Sequence, residues 1–479
     1  MQVRTLVCAL SLGLALAPRA ARAEAPLGLD EAVNLALANN ERALKAPLRV
    51  EAAQGQLERA RSAFLPTLVA NGTGQLRSIE DRNGRAVSGS GNLTLNQPLL
   101  NLPAFPLYAQ AKHQLESERW GAVQDKRLLA FDTAHAFLLA LTNERVLEAA
   151  KGRLDRAREN QQTADARAQA QLASTNDVTR AIIETTSATR EVAQAQGNLA
   201  RAYLQLGFLV GKPITGNLSA PDRVTQTAEH SALRTEDVAQ MAEARRPDVR
   251  AAHERTEALR ESAREPLFRL APTIGASAQI HTTVAPIAPD PAFDETLQLT
   301  LSWNIYDAGV RYADRKTRVA QAQSQALDEK ALRRSIATDV NIALTALRAA
   351  RESYRISEEA VDAAKRNTTE TEILYAQGLA RAIEVSDANG RRFDAEVNRA
   401  TAKLSMQQAY LDLRDALGLG PVGEELQPGG AAAKDGAAAT PPSAAATPPG
   451  AAAAPPAAPP AQPSAAPVPP GAAPKGGTP

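Results

Sequence analysis

Cysteine is nearly absent from this chain: the single Cys8 lies in the first ten residues, so the rest has neither disulfides nor thiol chemistry. Long apolar runs are missing too. The stretch Leu6 to Ala17 has roughly 12 residues where a spanning helix needs about 20, and no later segment is apolar enough. Any membrane crossing would have to be a β-barrel. Aromatic residues make up only 4%, which favours long, thin helices over a compact aromatic core. An excess of one charge is also lacking. With 54 Lys+Arg against 53 Asp+Glu, and no basic–aromatic interleaving in the strands, nothing points to nucleic acid. Catalytic signatures are missing as well. The five histidines (His113, His135, His230, His253, His281) form no HExxH and no i,i+4 pair, which argues against a zinc site. GxSxG and P-loop patterns do not occur. The chain reads as a non-enzyme with no cofactor or metal, drawing any energy it needs from a partner.

What is present begins with a leader. Arg4 precedes the run Leu6–Ala17, and Ala21-Arg22-Ala23 supplies an A-x-A cleavage site before Glu24, so residues 1–23 read as a secretory signal peptide. Losing Arg4, Arg19 and Arg22 shifts the formal charge from +1 to about −2. Val7 before Cys8 does not fit the small residue that lipid attachment requires.

Two nine-residue stretches organise the remainder. Leu299-Thr300-Leu301-Ser302-Trp303-Asn304-Ile305-Tyr306-Asp307 alternates apolar and polar residues, as a two-faced strand does. Leu93 to Asn101 is its twin, about 206 residues earlier. Around each lies the same programme. Repeat 1 (24–213) is expected to hold a helix from Asp30, a plausible N-cap, to Ala63. Pro66 follows, then strands 68–76 and 91–97 around the turn Asp81–Arg85, and a helical hairpin over 107–209. Residues 214–233 read as irregular. Repeat 2 (214–421) then restarts with helix 237–264, Pro272, strands 273–281 and 296–305, and a hairpin over 308–417. Gly418 answers Gly211 at an offset of about 207, so the duplication is nearly gapless. Residues 422–479 are Ala, Pro and Gly with few charges, a composition that predicts a disordered, partly polyproline tail.

The helices and strands carry separate arguments. The first helix of each hairpin, about 65 residues, would span roughly 95 Å, more than a compact domain can hold. In repeat 1 the two shorter helices together match it and could stack end to end beside it. Leu332, Ile336, Val340, Ile342, Leu344 and Leu347 suggest a coiled-coil seam. Four strands cannot close a membrane barrel. Eight, from two chains, would leave no bore, whereas twelve, from three, would leave a channel. The expected architecture is therefore mostly α with β: a twelve-stranded trimeric barrel, four strands per chain, joined to a two-helix-thick wall of long helices. Leu297, Leu299, Leu301 and Trp303 would face lipid, and Gln298, Thr300, Ser302 and Asn304 would face water. His281 would line the lumen or its rim. A strand over a soluble core explains the alternation equally well, and an exported coiled-coil structural or adaptor protein without a pore stays open as the alternative.

The double helix–strand pair–hairpin pattern, the run Asn304-Ile305-Tyr306-Asp307-Ala308-Gly309, and the hairpin turns Gln171–Val178 and Gly378–Ala388 resemble the TolC-type outer-membrane efflux proteins. The resemblance covers residues 27 to 421. It implies a homotrimer whose twelve-stranded barrel lies in the Gram-negative outer membrane, on a long α-helical barrel reaching into the periplasm. The partners it implies are a periplasmic adaptor and an inner-membrane pump, and the role is a passive exit duct for tripartite efflux or type I secretion. It also implies a gate at the periplasmic end. Glu384 and Asp387 match the family's acidic entrance ring, and their i,i+3 spacing puts both carboxylates on one helix face. A solvated helix face is the other reading of that pair. Asp177 and Tyr375 match latch residues. The latch arginine falls at Ala380 here, with Arg381 one place later.

Overall fold

The computed structural model describes residues 26–79, 86–214, 216–230, 241–284 and 292–423. The signal peptide, the turn at 81–85 and the tail beyond 423 lie outside the described residues, as do 231–240 at the start of the helix expected over 237–264.

Each repeat is a strand hairpin joined to a helical hairpin. Repeat 1 contains α1 (Leu29–Asn39), α2 (Glu41–Ser62), β1 (Thr67–Leu76), β2 (Val87–Leu100), α3 (Ala104–Gln169) and α4 (Thr175–Val210). After α5 (Asp222–His230) come α6 (Pro247–Ser262), the single turn α7 (Glu265–Phe268), β3 (Thr273–Val284), β4 (Phe293–Ser302), α8 (Val310–Ala376) and α9 (Ala382–Ala416). The long helices have 66 and 67 residues and their return helices 36 and 35. At 1.5 Å per residue the long ones span roughly 100 Å.

The duplication is visible in atomic detail. Gly211 and Gly418 both close a return helix in the left-handed region, with φ of 75° and 74°. Each backs onto the counterpart residue of its own repeat. A Cβ on Gly211 would lie 2.9 Å from Asn39 Cβ, and one on Gly418 would lie 3.1 Å from the Arg246 backbone nitrogen. Positive φ and close approach together call for glycine at both places.

Several elements differ from the sequence expectation. The helix expected from Asp30 to Ala63 starts at Leu29 behind an N-cap at Gly28, and it breaks at Asn40, whose ψ of 136° is extended. The polar pair at the break explains it. Asn40 Oδ1 accepts from Arg42 N, Asn40 Nδ2 donates to Leu209 O, and Asn39 Nδ2 donates to Val210 O. These side chains cap the orphan carbonyls at the end of α4. The stretch expected to be irregular contains α5. On α8, Ile336, Val340, Leu344 and Leu347 are buried, but Ile342 is 63% exposed and falls off the seam.

The core is a belt at mid-height. One cluster joins α1, α3 and α4 through Val33, Phe137, Leu138 and Leu206. A second joins α5, α6, α8 and α9 through Val249, Ile336, Met406 and Tyr410. Towards the hairpin ends the clusters shrink to a third one of Leu154, Ala157 and Ala188. At the other end the strands form one antiparallel sheet in the order β1-β2-β3-β4.

Candidate functional site

The strand register sorts side chains onto two faces. Thr67, Asn96, Ser277 and Gln298 form one row across the sheet, and Val69, Thr94, Gln279 and Thr296 form the next. Asn71, Asn92, His281 and Asp294 continue that face. The opposite face carries Leu68, Leu95, Ala278 and Leu297 in one row, with Ala276 paired to Leu299 and Ile274 to Leu301. In the single chain every residue of β1 and β4 is exposed, and Leu297, Leu299 and Leu301 are 83%, 70% and 64% accessible. Among the described residues the outer edges of β1 and β4 are unpaired. An open-edged sheet with one apolar face and no core beneath it is half of something larger.

Strand β4 stops at Ser302, leaving Trp303 and Asn304 just past its end. Its last partner is Thr273, and the preceding Pro272 has no N–H to continue the ladder. Trp303 instead donates its indole N–H to Leu270 O at 2.9 Å. The run from Asn304 to Gly309 then turns the chain into α8. The Asp307 carboxylate accepts from Gly309 N and Arg311 N, both at 3.1 Å, and from Arg311 Nε at 2.9 Å. The buried Arg311 also donates to Asn304 O at 2.9 Å. Although desolvation opposes it, hydrogen bonding from Arg311 and Gly309 holds the Asp307 carboxyl below the usual range.

At the far end the two helical hairpins lie side by side, and their turns differ. In the first, Asp177 closes a capping box: Ser174 N donates to Asp177 Oδ2 at 3.3 Å, and Asn176 N donates to Ser174 Oγ at 3.1 Å. In the second, Gly378 takes φ 80°, and Arg381 is the exposed N-cap of α9 without a side-chain cap bond. Glu384 stands exposed in the first turn of α9. Asp387, one turn on and also exposed, is paired with Arg391 at 2.8 Å. Tyr375 is buried, and the guanidinium above its ring, 4.6 Å from the centroid, belongs to Arg167 of α3 rather than to Arg381. Arg167 also donates to Ala376 O at 2.7 Å.

Further contacts join the hairpins. Ser386 Oγ donates to Glu184 Oε2 at 3.0 Å, and Arg156 Nε donates to Asn389 Oδ1 at 3.1 Å. Arg153 bonds both Glu184 and Glu191 while lying over the Phe393 ring. Burial works against the Arg153 charge, but the two glutamates outweigh it and raise its pKa further. Arg167, Arg153 and Arg156 are the tip residues that sequence reasoning missed. Arginines recur all along α3, and nothing local distinguishes these three, or Arg127 nearer the belt, which bonds Asp415, from the rest.

Among the described residues no cluster of three metal-ligating side chains occurs, and no helix is long and apolar enough to cross a membrane. A half-built, two-faced sheet mounted on paired helical hairpins defines a membrane channel subunit. The family model described as outer membrane efflux protein matches residues 32–212 and 238–419, about three quarters of the chain, and the chain belongs to that family. It is thus an outer-membrane channel protein. No curated protein matches the sequence. Among solved structures, a membrane protein from Pseudomonas aeruginosa is similar at 21% identity and TM-score 0.69, over 82% of this chain and 90% of that one. The open-state MtrE outer membrane channel of Neisseria gonorrhoeae is 22% identical, with TM-score 0.68 over 82% and 89%. The outer membrane protein VceC of Vibrio cholerae is 16% identical, with TM-score 0.68 over 82% and 96%. These likenesses extend to the fold.

Proposed function

We propose that three copies pool their strands into a twelve-stranded barrel, forming a passive exit duct for a tripartite efflux or type I secretion system. The observation that carries this reading is the four-stranded sheet, open at both edges and exposed on both faces. Pairing β4 of one copy with β1 of the next would satisfy both edges and close the ring. The apolar rows would then meet lipid and the polar rows would line a water-filled bore. The alternative, a poreless coiled-coil stalk, gives such a sheet no role.

The hairpin tips would form the periplasmic gate, opened by a periplasmic adaptor and an inner-membrane pump. Three copies of Glu384 and Asp387 would focus negative potential at the constriction. Because Asp387 is partnered by Arg391, Glu384 would supply most of the effective charge. Tyr375, with Arg167 above it, would hold the hairpins together in the closed state. Asp177 is engaged in its own helix cap, and Arg381 is available at the surface for a neighbouring copy.

Purification in detergent followed by native mass spectrometry and planar-bilayer recording tests the reading. Trimers with single-channel conductance are expected. Protein that stays soluble and monomeric without detergent overturns it.

A further inference from the structure

A groove of about 520 Å³ lies between the two hairpins, walled by α3 on one side and by α8 and α9 on the other. Its charge is one-sided. Arg145, Arg156, Lys365, Arg399 and Lys403 line it, and among the described residues none of the last four has a carboxylate within ion-pair distance. Two carboxylates reach the same groove and both are already engaged: Glu148 by Arg145 at 2.9 Å, and Glu396 by Arg392 at 3.1 Å. Like charges gathered around one groove repel and destabilise a free protein unless something offsets them.

Arg156 is the most telling member. One face of its guanidinium is used, through Nε to Asn389, while its second terminal nitrogen is buried without an acceptor. A buried guanidinium N–H with no partner costs free energy that an incoming oxyanion would recover. Burial and the neighbouring Arg392 both pull the Arg156 pKa down, with Glu396 and Glu372 only partly opposing them.

The backbone makes room beside it. Gly152, inside α3, lies where a Cβ would be 3.4 Å from Arg156 Nη1. Glycine in a helix interior costs about 1 kcal/mol relative to alanine, and nothing in the fold of α3 requires one there. It does leave the groove open next to the guanidinium. The buried side chains Leu141 and Val361 supply an apolar floor. A volume of this size with an apolar floor and convergent polar groups suits a small molecule.

We propose that this groove binds a small soluble polyanion, a molecule carrying two or more phosphate or carboxylate groups, which bridges Arg156 on the first hairpin to Arg399 and Lys403 on the second. The site stands on this one chain and does not depend on the channel reading. A bound anion would join the hairpins along the groove, as the Arg167 contact does at the tip.

Calorimetric titration of the full detergent-purified protein with pyrophosphate and with citrate tests the site, and single-channel recording of the same samples is scored separately. Saturable binding of either probe is expected, falling at least about tenfold in the Arg399→Gln/Lys403→Gln double variant. Gly152→Leu, which raises helix propensity while filling the groove, should abolish binding and leave conductance intact. The Arg119→Gln variant removes an exposed charge of α3 that lies outside the groove and is already paired with Glu116, and should leave affinity within about twofold. Absence of saturable binding to both probes at 10 mM, or equal affinity in wild type and the double variant, overturns the site.

Discussion

Arg167 of α3 lies over the ring of Tyr375 of α8 while its guanidinium donates to the very next carbonyl, that of Ala376. Two kinds of attraction thus act between the same pair of helix ends. Stacking over a buried ring and one charge-assisted hydrogen bond are together worth about 2 kcal/mol. Replacing Arg167 by alanine is expected to raise the open-to-closed ratio of single channels by about tenfold or more. Tyr375→Leu, which keeps the buried bulk but loses the aromatic face, should give a smaller rise. Unchanged open probability in Arg167→Ala would separate this contact from gating.

The acidic pair at the start of α9 is unequal. Asp387 is neutralised locally by Arg391, whereas Glu384 is exposed. Glu384→Gln is therefore expected to weaken divalent-cation block and cation selectivity more than Asp387→Asn, with the double variant the weakest. Conductance in magnesium or cobalt salts, compared across the three variants, checks this order. Equal block in all of them counts against an acidic entrance here.

Arg153 holds two carboxylates, Glu184 at 2.9 Å and Glu191 at 2.7 Å, in a setting where its side chain is 11% exposed. Arg153→Met keeps the volume and leaves the two acids facing each other. Such a one-sided removal is expected to cost about 3 kcal/mol. Chemical denaturation in detergent reads this directly. Glu191→Gln alone should cost far less, since Glu184 still balances the guanidinium.

Acid should loosen the belt through Asp248. Burial pushes its carboxyl up, but the Arg246 guanidinium at 2.6 Å and the Val249 N–H outweigh that and hold it below the usual range. A depressed folded pKa contributes stability that is complete above the unfolded value near 3.9 and disappears as pH falls through the folded value. Thermal stability is therefore expected to drop steeply below about pH 4. Asp248→Asn should flatten that acid limb and cost about 1 kcal/mol at neutral pH.

Ala308 adopts φ 54° just before Gly309, in the turn from β4 to α8. A side chain with a Cβ in this region carries strain of about 1 kcal/mol. Ala308→Gly relieves that strain while loosening the unfolded chain, so melting should move by no more than a few degrees. A large loss would mean the alanine methyl has a packing role.

The strand faces and the duplication were legible in the sequence because each rests on a period that tertiary contacts do not disturb. Leu297, Leu299 and Leu301 alternate with Gln298, Thr300 and Ser302, and the register keeps them on opposite faces. Gly211 and Gly418 stood at matching offsets because each repeat needs the same close approach. The break at Asn40 was hidden, since its cause is a carbonyl of residue 209, which no local pattern announces. The seam on α8 misplaced Ile342 for a similar reason: apolar character alone does not say which side of a 67-residue helix meets a neighbour. At the tip, Asp177, Tyr375, Glu384 and Asp387 are candidates that rest on resemblance. Arg167 was found only when the fold brought α3 beside α8.

The buried belt sits partway along helices that continue well beyond it, and this has a mechanical consequence. From Leu411 in the belt to Ala382 near the turn, α9 runs roughly 45 Å. Pivoted at that fulcrum, each degree of tilt carries the tip sideways by roughly 0.8 Å, so a rotation of about 5° moves it by about 4 Å. Leverage of this kind would convert side-chain-sized adjustments in the belt into displacements comparable to the radius of a hydrated ion, without bending any helix.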